Sequence, residues 1–143
     1  MIRVLADTNI YISYLLSPKN DSFVDLLFDK VASGEITLLV VEPLLEEIER
    51  TVKRKPHLLA RITETRLARF IQLLTIIAES IPTISAEIPT ITRDPKDDFL
   101  IAYAVVGNAD YLVSVDKDLL VLGQFGRVKI VHSGEFRAVL AAL

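Results

Sequence analysis

Ile2-Arg3-Val4-Leu5-Ala6-Asp7-Thr8-Asn9 carries a short apolar run that stops at a polar cluster. An unbroken apolar run of this length fits a strand covered on both faces, as strands of parallel sheets are. Ile36-Thr37-Leu38-Leu39-Val40-Val41 has the same character, and Tyr111-Leu112-Val113-Ser114 and Val128-Lys129-Ile130-Val131 read as two more strands. Between them lie helical stretches. Thr8 to Leu16 is one, ending before Pro18, and Phe23 to Ala32 is the next, with Asp21 or Ser22 placed to cap it and Gly34 to end it. Pro43 suits the first turn of a helix running to about Arg54. The spacing of Leu67, Phe70, Ile71, Leu74 and Ile77 predicts a helix over 62–80. Pro82 and Pro89 bracket an irregular stretch with room for one short strand.

Asp94-Pro95 reads as an N-cap followed by proline at the first helical position, opening a helix to about Val106 that Gly107-Asn108 ends. Ser133 is placed to cap a last helix through Leu140. Strands alternating with helices predict an α/β fold with a mainly parallel sheet and right-handed crossovers. No linker, repeat or low-complexity tract divides the chain, so residues 1–143 read as a single domain.

Open sheets of this kind form sites beyond the carboxyl ends of their strands. Asp7 directly follows the first strand, Asp116 follows the Tyr111–Ser114 strand by one residue, and Glu47 lies on the helix after the second. Asp98 shares a helical stripe with Ile101, Ala102 and Val105, which predicts a carboxylate turned inward toward the sheet. Asp97 sits off that stripe, where it can serve the helix N-terminus. Periodicity does not choose Glu47 over Glu46 or Glu49, because Leu44, Leu45, Ile48 and Val52 favour none of them.

Carboxylates brought together repel one another, and some stay protonated unless a cation is present. An all-oxygen ligand set, with no Cys in the chain and His57 and His132 far apart in sequence, selects Mg²⁺ or Mn²⁺ over Zn²⁺. Such an ion suits phosphate chemistry.

The composition, 51% hydrophobic and 24% charged, is that of an ordinary globular protein. Absence of Cys excludes a disulfide framework and cysteine nucleophiles. The N-terminal segment lacks the apolar stretch of a signal peptide, and Leu67 to Ile81 is broken by Arg69, Gln72 and Glu79, so neither export nor a membrane span is expected and the expected location is the cytoplasm. Net charge is −3, yet from Arg50 to Arg69 seven cations face only Glu64. A basic arm beside an acidic body fits a phosphate-binding edge next to a metal-binding hollow; a solvated helical face is the plainer alternative.

Four motifs then fall in order: Leu5-Ala6-Asp7-Thr8-Asn9, Leu44-Leu45-Glu46-Glu47-Ile48, Arg93-Asp94-Pro95-Lys96-Asp97-Asp98, and Ala109 to Leu120 with Ser114-Val115-Asp116 at its centre. Together they resemble the PIN domain family, in particular the VapC-like toxins of prokaryotic toxin–antitoxin operons. The resemblance implies a three-layer α/β/α sandwich and assigns both catalysis and metal binding to Asp7, Glu47, Asp98 and Asp116, choosing Glu47 from among its neighbours. It further implies hydrolysis of RNA phosphodiester bonds with Mg²⁺ or Mn²⁺, a homodimer, and neutralisation by a small antitoxin covering the site.

On this reading Asp7, Asp98 and Asp116 touch the ion, and Glu47 either touches it or orients the attacking water. Asn9, Ser114 and Asp97 are expected to support the ligands. Arg50, Lys53, Arg54, Lys55 and Arg93 are expected to bind RNA phosphates, while Tyr11, Tyr14 and Phe99 serve equally well as core or as stacking surfaces. Many family members carry Thr-Gly-Asp where this chain has Ser114-Val115-Asp116, which keeps the hydroxyl but changes the turn.

Two other phosphate-handling folds fit less well. A haloacid-dehalogenase-like phosphatase needs an acid where Asn9 stands, and a receiver-like domain needs an acidic pair after the first strand. A PIN fold serving as a binding or scaffold module without nuclease activity is the remaining alternative.

Overall fold

The computed structural model describes residues 1–17 and 23–143, so the expected roles of Pro18, Asp21 and Ser22 lie outside the described residues. In chain order the elements are β1 (Ile2–Ala6), α1 (Thr8–Leu16), α2 (Phe23–Ala32), β2 (Ile36–Val40), α3 (Glu42–Arg54), α4 (Pro56–Leu59), α5 (Glu64–Ile77) and β3 (Glu79–Ser80). Then come α6 (Pro95–Val106), β4 (Tyr111–Ser114), α7 (Lys117–Leu122), β5 (Gln124–Phe125), β6 (Val128–His132) and α8 (Ser133–Ala141). The sheet has the order β3-β2-β1-β4-β6-β5 and is parallel except for β5, which returns antiparallel to β6. Helices flank it, α2 and α8 packing on each other, α1 on α3, and α6 on β4.

The apolar runs are covered as their composition requires: Val4, Leu5, Ala6, Leu38, Leu39, Leu112 and Val113 are fully buried. From β1 the chain builds outward through β2 to β3, then crosses back to lay β4 on the other side of β1. The crevice between the carboxyl ends of β1 and β4 is therefore the point where strand order reverses, the usual place for a site. Backbone pairing continues into that crevice, where the Asp7 N–H donates to the Val113 carbonyl at 2.9 Å. At the opposite edge Arg3 locks the strand starts: its backbone N–H and side chain reach Asp110, Gly107 and Glu79, and Asp110 also accepts from Arg127 at 2.8 Å.

Three sequence expectations are corrected, and one short strand goes beyond them. The helix expected over 62–80 begins at Glu64, capped by Thr63, and ends at Ile77, because Glu79 and Ser80 pair with Leu39 and Val40 as an edge strand. No strand forms over 82–89. The added strand is the β5 hairpin arm. The cap of α8 is His132, whose ring Nδ1 accepts from the Gly134 N–H at 3.0 Å, rather than Ser133. Among the described residues no helix is long and apolar enough to cross a membrane.

Tyr11 is fully buried, with its ring 5.7 Å from that of Phe70 and its hydroxyl without a hydrogen-bond partner among the described residues. Removing an unsatisfied buried hydroxyl relieves a desolvation penalty of about 1–3 kcal/mol, so Tyr11→Phe is expected to leave stability unchanged or raise it by about 1 kcal/mol. Urea unfolding measures this, and a clear loss would mean that the hydroxyl has a partner.

Candidate metal centre

Asp7 follows β1 and Asp116 follows β4, and the buried Ser114 hydroxyl joins them: it donates to Asp7 Oδ2 at 2.9 Å and accepts from the Asp116 N–H at 3.0 Å. Asp116 also caps α7, its Oδ1 accepting from the Asp118 N–H at 2.9 Å. From the other side comes the N-terminus of α6. Asp94 caps it, Oδ1 accepting from the Lys96 N–H at 2.9 Å, and Pro95 occupies the first turn as expected. One turn of helix then brings Asp97 onto the sheet edge.

Carboxylate oxygens of Asp94, Asp97 and Asp116 lie within 4.8 Å of one another. Asp7 lines the same hollow, about 500 Å³ in volume. Burial pushes the Asp7 carboxyl above its ordinary value, against the stabilising Ser114 hydrogen bond and with Asp116 adding to the rise. Asp97 is pushed further, to about 7, first by burial and then by the charges of Asp116, Asp94 and Asp7. It is 2% exposed, and its Oδ2 has no hydrogen-bond partner among the described residues.

Asp98 is not part of this group. Its Oδ1 accepts from the backbone N–H groups of Ile91 (3.0 Å) and Thr92 (2.6 Å), holding the segment before α6, and those bonds lower its pKa. Asp98 is turned inward as expected, but Asp97 is buried too and is the one that reaches the acidic group. The phase of α6 buries Asp97, Asp98, Leu100, Ile101, Tyr103 and Ala104, so of the expected stripe Asp98 and Ile101 do face inward, whereas Val105 is 45% exposed. Residues 99–106 are apolar on every side of the helix, so periodicity has no phase to report.

A buried carboxylate with an unpaired oxygen and three acidic neighbours fits a divalent cation. Burying such charge without a partner costs several kcal/mol, and an oxygen-only set of this kind suits Mg²⁺ or Mn²⁺. A family model, PIN domain, matches residues 3–118. The chain belongs to the PIN domain family. None of the curated proteins matches its sequence. Among solved structures the fold is similar to that of VapBC2 from Rickettsia felis bound to a DNA fragment from their promoter, with a TM-score of 0.62, 14% identity, and coverage of 92% of this chain and 98% of that one. PAE2754 from Pyrobaculum aerophilum gives a TM-score of 0.60 at 14% identity, covering 99% of this chain and 98% of that one. At these identities the likeness concerns the fold.

In this PIN domain Glu47, unlike the exposed Glu46 and Glu49, faces the hollow. Its oxygens are engaged by cations and a hydroxyl rather than by the acidic group: Oε2 by Arg50 at 2.8 Å, and Oε1 by Thr51 at 3.2 Å and Lys96 at 3.8 Å. Of the expected supporting residues, Ser114 holds Asp7 while Asn9 lines the hollow as an exposed side chain.

The basic arm divides. Arg50, Arg54 and Lys55 line the hollow. Lys53 pairs with Glu49 at 2.8 Å and Arg93 with Asp118 at 2.7 Å, and neither lines the hollow. Arg61 and Arg66 donate to the carbonyls of Leu16 and Leu15 at the end of α1, a structural task. In sequence Asp94 signals only a cap and Lys96 signals nothing; their position at the mouth of the β1–β4 crevice is a tertiary fact without a local signal.

Proposed function

We propose that this PIN domain is a metal-dependent ribonuclease that hydrolyses RNA phosphodiester bonds, and that it acts as the toxin of a toxin–antitoxin pair. The observation that carries the reading is the buried Asp97 with its unpaired oxygen, set among Asp94, Asp116 and Asp7. Asp7, Asp97 and Asp116 would hold Mg²⁺ or Mn²⁺, with Asp94 beside them. When bound, such an ion lowers the pKa of a coordinated water and neutralises charge on the phosphate.

The protein's own groups do the rest. Ser114 fixes Asp7 and the Asp116 backbone in one geometry, as supporting hydrogen bonds do around metal ligands. Arg50, Arg54 and Lys55 bind phosphates along the α3 wall. Glu47 stands opposite the acidic group, where it orients the attacking water. Asp98 serves as a positioning residue, since its backbone bonds set the entry into α6 and hence the place of Asp97.

The structural likeness to VapBC2, a complex captured on promoter DNA, supports a small antitoxin as partner. A homodimer and a cytoplasmic location complete the reading.

RNA cleavage tests it. Purified protein with Mg²⁺ or Mn²⁺ is expected to cut RNA, EDTA to stop the reaction, and an Asp7→Asn, Asp116→Asn double variant to be inert. Cleavage surviving in that variant would assign the activity to another protein.

A further inference from the structure

Lys96 is the one cation among the hollow-lining residues that α6 contributes. It sits in the first turn of that helix, where the dipole disfavours positive charge. Its side chain is 77% exposed and its Nζ lies 3.8 Å from Glu47 Oε1, a distance and exposure at which an ion pair holds little in place. From the facing wall Arg50 reaches the other oxygen of the same carboxylate at 2.8 Å, and Thr51 adds a hydroxyl at 3.2 Å. Glu47 thus accepts from two donors of α3 and faces the cation of α6. The groups around this carboxylate, Arg50 and Thr51 on one side and Lys96 on the other, form the set that two non-bridging oxygens of a phosphodiester would meet.

We propose that Lys96 and Arg50 form a two-walled grip for a substrate phosphate, with the Glu47 carboxylate keeping its place until the substrate arrives. This rests on the ribonuclease reading above. A phosphate entering the grip takes over Arg50 and Lys96 and releases Glu47 to accept a hydrogen bond from the attacking water. Arg54, one helical turn beyond Arg50, and Lys55 extend the basic wall toward the next phosphates. The competing explanation is that Lys96 only offsets the charge of Asp94 and Asp97, in which case it affects the fold and the ion but not RNA.

The test is binding of a fluorescein-labelled single-stranded 12-nucleotide RNA in EDTA, where cleavage is off, followed by anisotropy across a salt series. Lys96→Met is expected to weaken binding about 3–10-fold near 0.1 M salt and to reduce the slope of log K against log salt by about 0.7. Lys96→Arg should retain most of the affinity. Glu47→Gln should tighten binding several-fold, and that gain should shrink in the Lys96→Met background, since the two groups act on one phosphate. Lys129→Met, an exposed cation away from the hollow, sets the baseline.

A Lys96→Met protein that matches the Lys129→Met baseline overturns the grip, as does a Glu47→Gln protein that binds RNA more weakly. The rise in Tm with Mn²⁺ is measured alongside in wild type and Lys96→Met. If wild type shows both the Mn²⁺ shift and RNA binding while Lys96→Met is unaltered, the grip alone fails. If wild type shows neither, the ribonuclease reading falls and the grip with it.

Discussion

Asp97→Asn is expected to stabilise the metal-free protein near pH 8 while removing its response to Mn²⁺. The Asp97 carboxyl, raised to about 7 by burial and then by its acidic neighbours, keeps its proton in the folded state at pH values where the unfolded chain has released it. Between the ordinary carboxylate range and about 7 the folded protein therefore binds more protons, and stability falls as pH rises through that window. Asp7, also raised, acts in the same direction.

One pH unit of such difference is about 1.4 kcal/mol; discounted for the water that an open hollow admits, the Asp97 contribution is on the order of 1–3 kcal/mol. Asparagine carries no charge and offers an amide donor to Asp94 or Asp116. Melting in EDTA should then show Asp97→Asn above wild type by roughly 3–10 °C at pH 8 and much less at pH 5. Millimolar Mn²⁺ should raise the wild-type Tm and leave the variant where it was. RNA cleavage should fall by about 100-fold or more, since removing even a supporting group around a metal typically costs 10–100-fold. Wild type and variant gaining equally from Mn²⁺ would take Asp97 out of the ion's coordination.

The division between what the sequence disclosed and what it did not follows the range of the interactions involved. β1, β2 and β4 announce themselves because a strand buried on both faces is largely apolar, β6 by its Val128, Ile130 and Val131 although Lys129 and His132 are exposed, and the α6 start because Asp94-Pro95 is a local cap signal. Asp7 and Asp116 follow, since a residue just after a parallel strand is carried to the sheet's active edge whatever the rest of the chain does. Glu47 could be placed on its helix by periodicity but singled out from its acidic neighbours only by family resemblance.

What stayed hidden depends on contacts distant in sequence. The end of α5 is set by Glu79 and Ser80 pairing with β2, with no Gly or Pro at the boundary to mark it. The rotation of α6, on which the choice between Asp97 and Asp98 turns, is decided by packing against β4 and by the two backbone bonds to Asp98, because the helix is apolar all round. The split of the basic arm depends on which acids lie opposite, Glu49 and Asp118 drawing Lys53 and Arg93 away from the hollow.

Asp98→Ala is the converse experiment: a large loss of stability with the ion response preserved. Asp98 accepts two backbone N–H bonds from consecutive residues, at 3.0 and 2.6 Å, and these lower its pKa, so its stabilisation is fully present above the ordinary carboxylate value and is lost as pH falls from there through the lowered folded value. Alanine leaves the Ile91 and Thr92 donors without their charged acceptor, and bonds to charged groups are among the stronger ones in proteins. A drop in Tm on the order of 5–10 °C at pH 7 is expected, shrinking in acid as the pH falls through the lowered value of the wild-type carboxyl. Asp98→Asn, which keeps one neutral acceptor oxygen, should lose about half as much. Because neither oxygen of Asp98 belongs to the Asp94–Asp97–Asp116 group, both variants should still gain Tm with Mn²⁺ as long as they are folded. If Asp98→Asn instead lost the Mn²⁺ shift while keeping its Tm in EDTA, Asp98 would be the ligand, and the phase of α6 in solution would be the one that its Asp98–Ile101–Val105 stripe predicts.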